Sequence, residues 1–195
     1  AAFQGEPFDS LTVSFRVAQS IWSAEAIEIR KGRGLILGRG HADPTKRFFS
    51  LQLHGTNLAL PDVKRLSLPR RRDGTSLIEG SLSFEVTGEG TPDDVRLKAS
   101  WSLPDLQVSG ARIGELRGTV DWQGPRMRLQ GEGQGPGGAL YYAGEVAVQG
   151  EWELALAGKY VAVHADPWVR AFLNERFSGG IVATGTFQAE GPLKN

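Results

Sequence analysis

The sequence predicts an all-β protein with one or two short helices, organised as repeats. Three observations carry this. Apolar and polar residues alternate with a period of two along most of the chain, turn-forming residues recur at short intervals, and a pattern of strand, strand, helical insertion and strand returns after about a hundred residues.

The alternation starts with Leu11, Val13, Phe15 and Val17, interleaved with Thr12, Ser14 and Arg16. Ile27-Glu28-Ile29 and the glycine-flanked run Gly34–Gly40 follow. Phe49, Leu51 and Leu53 alternate with Ser50 and Gln52, and Leu82, Phe84 and Val86 with Ser83, Glu85 and Thr87. Val95, Leu97, Ala99 and Trp101 continue the pattern, then Leu106-Gln107-Val108, Met127-Arg128-Leu129, and Trp152, Leu154 and Leu156. Each run suits a strand with one wet and one apolar face, because successive side chains point to opposite sides of a sheet. Lys31-Gly32, Asp43-Pro44, Gly90-Thr91-Pro92-Asp93, Ser109-Gly110 and Gln123-Gly124-Pro125 mark turns between them. The spacing implies roughly twelve to sixteen strands, more than an open sheet usually holds without curling, splitting or closing.

Two segments read as helix. The stronger spans Asp166 to Phe177, with Asp166 as N-cap and Pro167 in the first turn. Its Trp168, Phe172 and Leu173 share a face, with Arg170, Asn174 and Glu175 on the opposite one. The weaker is a single turn, Pro61–Leu66. Both insertions follow the same phrase, Leu51-x-Leu53-x-Gly55 in one place and Leu154-x-Leu156-x-Gly158 in the other. The repeat units run approximately over 49–92 and 152–192, within a single continuous segment, 1–195. Such arrays bury each unit's face on its neighbours.

Composition excludes several functions. The chain has 195 residues, 22 basic and 22 acidic, and no cysteine. Zero formal charge argues against a nucleic-acid partner, whose binding domains are normally basic. Without cysteine there is no disulfide framework, thiolate metal site or thiol nucleophile. No apolar run is long enough to span a bilayer as a helix. The chain opens in mid-pattern at Ala1-Ala2-Phe3 and reads as an internal piece of something longer.

The search for chemistry returns no catalytic residue, no metal site and no cofactor motif, so no enzyme is expected. His41, His54 and His164 stand apart from one another. Asp93 and Asp94 are neighbours in a turn and diverge. The glycine clusters at 32–40 and 131–138 lack the dinucleotide and P-loop spacings. Arg70-Arg71-Arg72 sits between Pro69 and Asp73-Gly74 and reads as a solvated loop. What is left is geometric: a large apolar sheet face with little helix to cover it. It must close on itself as a barrel or sandwich, or curve into a trough filled by an apolar ligand or a neighbouring chain.

The phrase from Phe49 to Leu60, the short turn after it, and the strand Gly80 to Pro92 resemble the repeats of the AsmA-like superfamily, and within it the TamB-like proteins most closely. The ending Gly180 to Pro192 resembles them too. The resemblance rests on alternation and glycine placement across most of the chain. It implies a long, strongly curved open sheet, a U-shaped β-taco groove with an apolar interior. It further implies a periplasmic location in a diderm bacterium with an inner-membrane anchor elsewhere in the full-length protein, phospholipids as cargo, and the outer-membrane barrel TamA as a partner reached through other parts of that protein.

On this reading the groove is lined by Leu11, Val13, Phe15, Leu51, Leu53, Leu82, Phe84, Val86, Leu97, Trp101, Leu129, Leu154, Leu156, Ile181 and Phe187. Trp168, Phe172 and Leu173 would place the helix over it as a cap. The alternative is a structural β-repeat or β-sandwich scaffold in which the same residues make a dry core. The terminal strands, Leu11–Val17 and Ile181–Glu190, are expected to be free edges prone to self-association.

Overall fold

A computed structural model describes residues 2–3, 6–63, 68–71, 73–148, 152–173, 176 and 179–192. It is all-β. A two-stranded hairpin, β1 (Ala2–Phe3) and β2 (Glu6–Pro7), precedes the main sheet. The sheet begins with β3 (Ser10–Ala18), β4 (Ile21–Lys31), β5 (Gly34–Asp43) and β6 (Phe48–Ala59). After a 3₁₀ turn at Leu60–Asp62 come β7 (Ile78–Glu79), β8 (Ser81–Thr91), β9 (Asp94–Val108), β10 (Ala111–Gln123), β11 (Arg126–Gly135), β12 (Gly138–Ala147) and β13 (Glu153–His164). The helix α1 (Asp166–Phe172) and the final strand β14 (Val182–Pro192) complete the order.

Eleven strands, β3 to β14 without β7, lie side by side in sequence order, all antiparallel, and β7 pairs with the far end of β9. The sheet is curved and does not close, so β3 and β14 are both edges. A meander of this kind follows from the short turns. Gln19 and Ser20 between β3 and β4 both have positive φ, as do Ser109 and Gly110 between β9 and β10. Two such residues in succession give the turn whose twist matches the flanking strands.

The hundred-residue repeat is visible in the backbone. Gly55 of β6 faces Phe84 of β8, and 103 residues later Gly158 of β13 faces Phe187 of β14. Just beyond each glycine the register breaks, and there Asn57 and Ala162 take positive φ. Both copies then leave the sheet for an insertion. Since β6 and β13 run in the same direction, both insertions emerge at the same end of the sheet.

That end holds the main buried cluster: Leu60, Leu77, Ile78, Leu106, Val108, Ile113 and Ala171, with Leu68, Leu82, Leu103, Leu116 and Trp168 packed against it. Val108 is 0% exposed and Leu106 3%. The segment 68–77 is tied into it by Leu77 N to Pro69 O and Ser109 N to Leu77 O. Arg70 donates to the backbone oxygens of Gly74 and Pro61, so this arginine holds the loop closed. Arg72 and residues 64–67 lie outside the described residues.

The stronger helix is shorter than the sequence predicts, ending at Phe172 rather than Phe177. Its N-cap is Ala165, not Asp166. Asp166 does other work: its Oδ1 accepts a 2.6 Å hydrogen bond from Ile181 N, while Ala165 N donates to Ile181 O. These two bonds fasten the chain's return to the start of the helix.

Candidate functional site

Register sets the apolar face. One row crosses eight strands through Leu53, Val86, Ala99, Val120, Leu129, Gly144, Leu156 and Ala189. A second runs through Gly55, Phe84, Trp101, Gly118, Gly131, Tyr142, Gly158 and Phe187. A third runs through Leu51, Gly88, Leu97, Trp122, Met127, Val146, Leu154 and Gly191. The structure therefore brings Leu51, Leu53, Phe84, Val86, Leu97, Trp101, Leu129, Leu154, Leu156 and Phe187 onto one continuous face. Leu82 joins it at the capped end, opposite Leu58.

The glycines in these rows are not gaps. A methyl group on Gly118 would meet the Trp101 indole at 2.8 Å, and one on Gly158 would meet the Phe187 ring at 2.5 Å. Phe84 lies over Gly55 and Tyr142 over Gly131 in the same way, and Leu53 covers Gly38. Large side chains thus lie flat across the strand beside them, so that backbone carrying no side chain is shielded by a neighbour's ring. Burial raises the pKa of the Tyr142 phenol, as expected for a hydroxyl on this face. Two tryptophans bridge several strands of this face. Trp122 on β10 and Trp152, just before β13, originate three strands apart, about 14 Å at ordinary strand spacing. Their rings nevertheless meet edge to face at 6.4 Å.

The remaining sequence-predicted positions fall differently. Leu11, Val13 and Phe15 carry the same face onto β3 but are exposed, Phe15 at 58%, because β3 has a neighbour on one side only. Ile181 is not part of a strand: it is exposed and serves as the backbone anchor of the helix return. The helix does reach the buried cluster, through Pro167, Ala171 and Trp168. Phe172 and Leu173 do not; they are 58% and 82% exposed. Truncation of the helix explains this, since Pro167 and Ala171, four apart, take the inward positions and turn Phe172 and Leu173 away. Nor does Arg170 face water freely: it is half-buried, and its Nε is buried without a hydrogen-bond partner.

Sequence reasoning missed Val120, Trp122, Tyr142 and Val146 as members of the face, and missed the glycine covers altogether. A large residue opposite a glycine is a signal only once the strand register is known.

The opposite face is polar and largely paired across strands: Arg117 Nε to Glu132 at 2.7 Å, His54 to Glu85 at 3.3 Å, and Arg39 to Gln52 at 2.7 Å. Lys159 stands over the Tyr141 ring at 4.9 Å. Two hollows, of about 980 and 1020 Å³, open on this face. Their walls are alternating polar positions such as Ser83, Glu85, Ser102 and Arg117, and Arg39, Glu89, Arg96 and Asp121. A twisted sheet is saddle-shaped, so each face is concave along one diagonal. Of the hollows' charged groups, Arg117 pairs with Glu132 and Arg96 with Asp94. Among the described residues no cluster of three His, Asp or Glu could hold a metal, and no helix is long and apolar enough to cross a membrane. No family model, curated protein or solved structure matches this chain.

Proposed function

We propose that this chain is a stretch of lipid-conducting surface, in which the apolar sheet face shelters phospholipid acyl chains and leaves headgroups in water. One observation carries the reading. Three apolar rows run across eight strands each; of their non-glycine side chains only Val146 is fully buried, and the insertions pack beyond the rows at one end of the sheet. Acyl chains on such a surface gain about 25 cal/mol per Å² of apolar area removed from water. The rows contain no charged side chain, so nothing fixes a headgroup at one position and chains can slide along the face. No catalytic residue or cofactor is needed. The same reading carries the rest of the proposal: a periplasmic setting, and an outer-membrane barrel of the TamA kind as the partner of the full-length protein.

The β-sandwich alternative lacks its second layer, because among the described residues no other sheet of comparable size faces the first. The test is direct. The purified chain is analysed by native mass spectrometry for co-purifying phospholipid and by uptake of a fluorescent phospholipid. A photo-crosslinking residue at Phe84 should label lipid, whereas one at Glu85, on the opposite face, should not. Equal labelling at both positions, or none at either with no lipid bound, would overturn the proposal.

A further inference from the structure

The two edges of the sheet are built differently. β14 presents Ala183, Gly185, Phe187, Ala189 and Gly191 to the apolar side and ends in Pro192. Its one large side chain there already lies over Gly158. β3 presents Leu11, Val13, Phe15 and Val17, all exposed, on nine consecutive exposed residues. Natural edge strands are usually blunted by lysine, proline, a bulge or an inward charge. β3 has no lysine and no proline. The bulge beside it adds Glu25 to β4 and leaves β3 itself regular. Its single charge, Arg16, points to the polar side and pairs with Glu25 at 3.1 Å. β3 thus has the side chains of an interior strand at a position with one neighbour.

We infer that β3 is an interface for a second copy of this chain, forming an antiparallel β3–β3 pair about a two-fold axis normal to the sheet. Strand parity selects this arrangement. With eleven strands alternating in direction, β3 and β14 point the same way. A second copy added head to tail, β14 against β3 with apolar faces on one side, would make a parallel pair. Antiparallel continuation on the same face requires like edges to meet. Of the two like-edge pairs, β3–β3 has apolar surface left to cover.

Self-complementarity then sets the register. Full overlap of Ser10–Ala18 places Ser14 on the axis, Val13 opposite Phe15 and Leu11 opposite Val17 of the other copy. The apolar row Ile29–Leu11 continues into Val17 and Trp22 of the second copy, with no polar residue at the junction. On the polar side Arg16 faces Thr12 of the other copy, and beyond that small side chain lies its Glu28. Arg16 and Glu28 keep their partners within each copy, Glu25 and Arg30, so the pairing brings no unpaired charge to the seam.

The test uses the absence of native cysteine. Directly opposed positions have Cβ atoms about 5 Å apart, close enough for a disulfide. Under mild oxidation Ser14→Cys should give a covalent dimer. Thr12→Cys, which faces Arg16, and Thr186→Cys on β14 should stay largely monomeric. Sedimentation should show a concentration-dependent dimer for the native chain that Val13→Lys weakens at least tenfold, with an unchanged β-sheet circular dichroism spectrum. The inference is overturned if Thr186→Cys crosslinks as well as Ser14→Cys, or if the native chain stays monomeric at high concentration with Ser14→Cys uncrosslinked. This dimer can form whether or not the apolar face carries lipid, so its failure is distinct from failure of the lipid reading.

Discussion

The capped and uncapped ends of one sheet show how little alternation says about burial. At the capped end Leu106 and Val108 on β9 are closed off by the 60–80 insertion, with α1 packed on the same cluster. Further along the same strand Leu97 and Trp101 alternate just as regularly, and they stay half-exposed. Strand type, side-chain type and period are the same. The difference is the polypeptide laid over them, which comes from the two insertions that hold β7 and α1. The same contrast separates β9 from β3, whose Leu11 to Val17 lack even a lateral neighbour on one side. Coverage, not pattern, divides this apolar surface into core and open face.

The sharpest way to break the comparison is to empty one site at each end. Leu106→Ala removes a fully enclosed side chain and should cost about 2–5 kcal/mol. Leu129→Ala, on the open face, should cost well under half of that, because its site already touches solvent. Urea unfolding of the two variants measures the difference. Equal losses would mean that the open face is as enclosed as the capped end.

This contrast also marks how much was legible in the sequence. Period two made the strands readable, and the glycines and prolines made the turns readable. The 103-residue offset between Gly55 and Gly158 exposed the repeat, and the structure adds that each glycine lies beneath a phenylalanine of the next strand. Coverage was not legible. Val108 and Leu97 look alike in sequence, and only the course of residues 60–80 separates them. The helix misled for a related reason. Trp168, Phe172 and Leu173 form an apolar stripe on paper, yet a helix of seven residues with Pro167 and Ala171 facing inward does not bury all three.

Trp168 and Phe172 therefore form the next comparison, two stacked aromatic rings on one helix with centroids 6.3 Å apart. Trp168 packs on the capped cluster and Phe172 projects into solvent. Trp168→Ala should destabilise the fold by about 1–3 kcal/mol, less than a fully buried tryptophan would. Phe172→Ala should change stability by no more than about 0.5 kcal/mol. Thermal melts of the two variants decide it. If Phe172 proves the costlier change, the helix docks through a face other than the one containing Ala171.

The glycine covers give a subtler test within the open face. Gly118→Ala sets a methyl group 2.8 Å from the Trp101 indole and the same distance from Gln130 O. Trp101 must lift off the sheet. The cost should be about 1–2 kcal/mol, the usual range for overpacking. The indole emission should shift, and lipid-dye uptake should rise as the strand beneath loses its cover. Gly110→Ala is the control: open space surrounds that turn, so only backbone strain at its φ of +80° remains. An unchanged emission spectrum for Gly118→Ala would mean that Trp101 does not rest on the glycine.

The smallest effect distinguishes the two ends by pH. Asp43 closes the β5–β6 turn, accepting from Thr45 Oγ1 at 2.6 Å, Thr45 N at 3.0 Å and Lys46 N at 3.2 Å. Asp73 makes the same kind of turn inside the capping insertion, accepting from Thr75 Oγ1 at 2.6 Å and Thr75 N at 2.9 Å. In each, the threonine hydroxyl bond is the main cause holding the carboxyl below its ordinary value of 3.8. The sign follows from linkage: a depressed folded-state pKa gives stability that is complete above 3.8 and is lost as pH falls through the lower folded value. The two turns lie at opposite ends of the sheet, because β6 runs from the first toward the insertion that holds the second. Asp73→Asn should therefore loosen the cap and raise lipophilic-dye binding slightly at neutral pH, while Asp43→Asn should loosen only a hairpin and leave dye binding unchanged. Both variants should flatten the acid limb of the stability curve below pH 4. If Asp43→Asn raises dye binding as much as Asp73→Asn does, the boundary between core and open face is not set by the insertion.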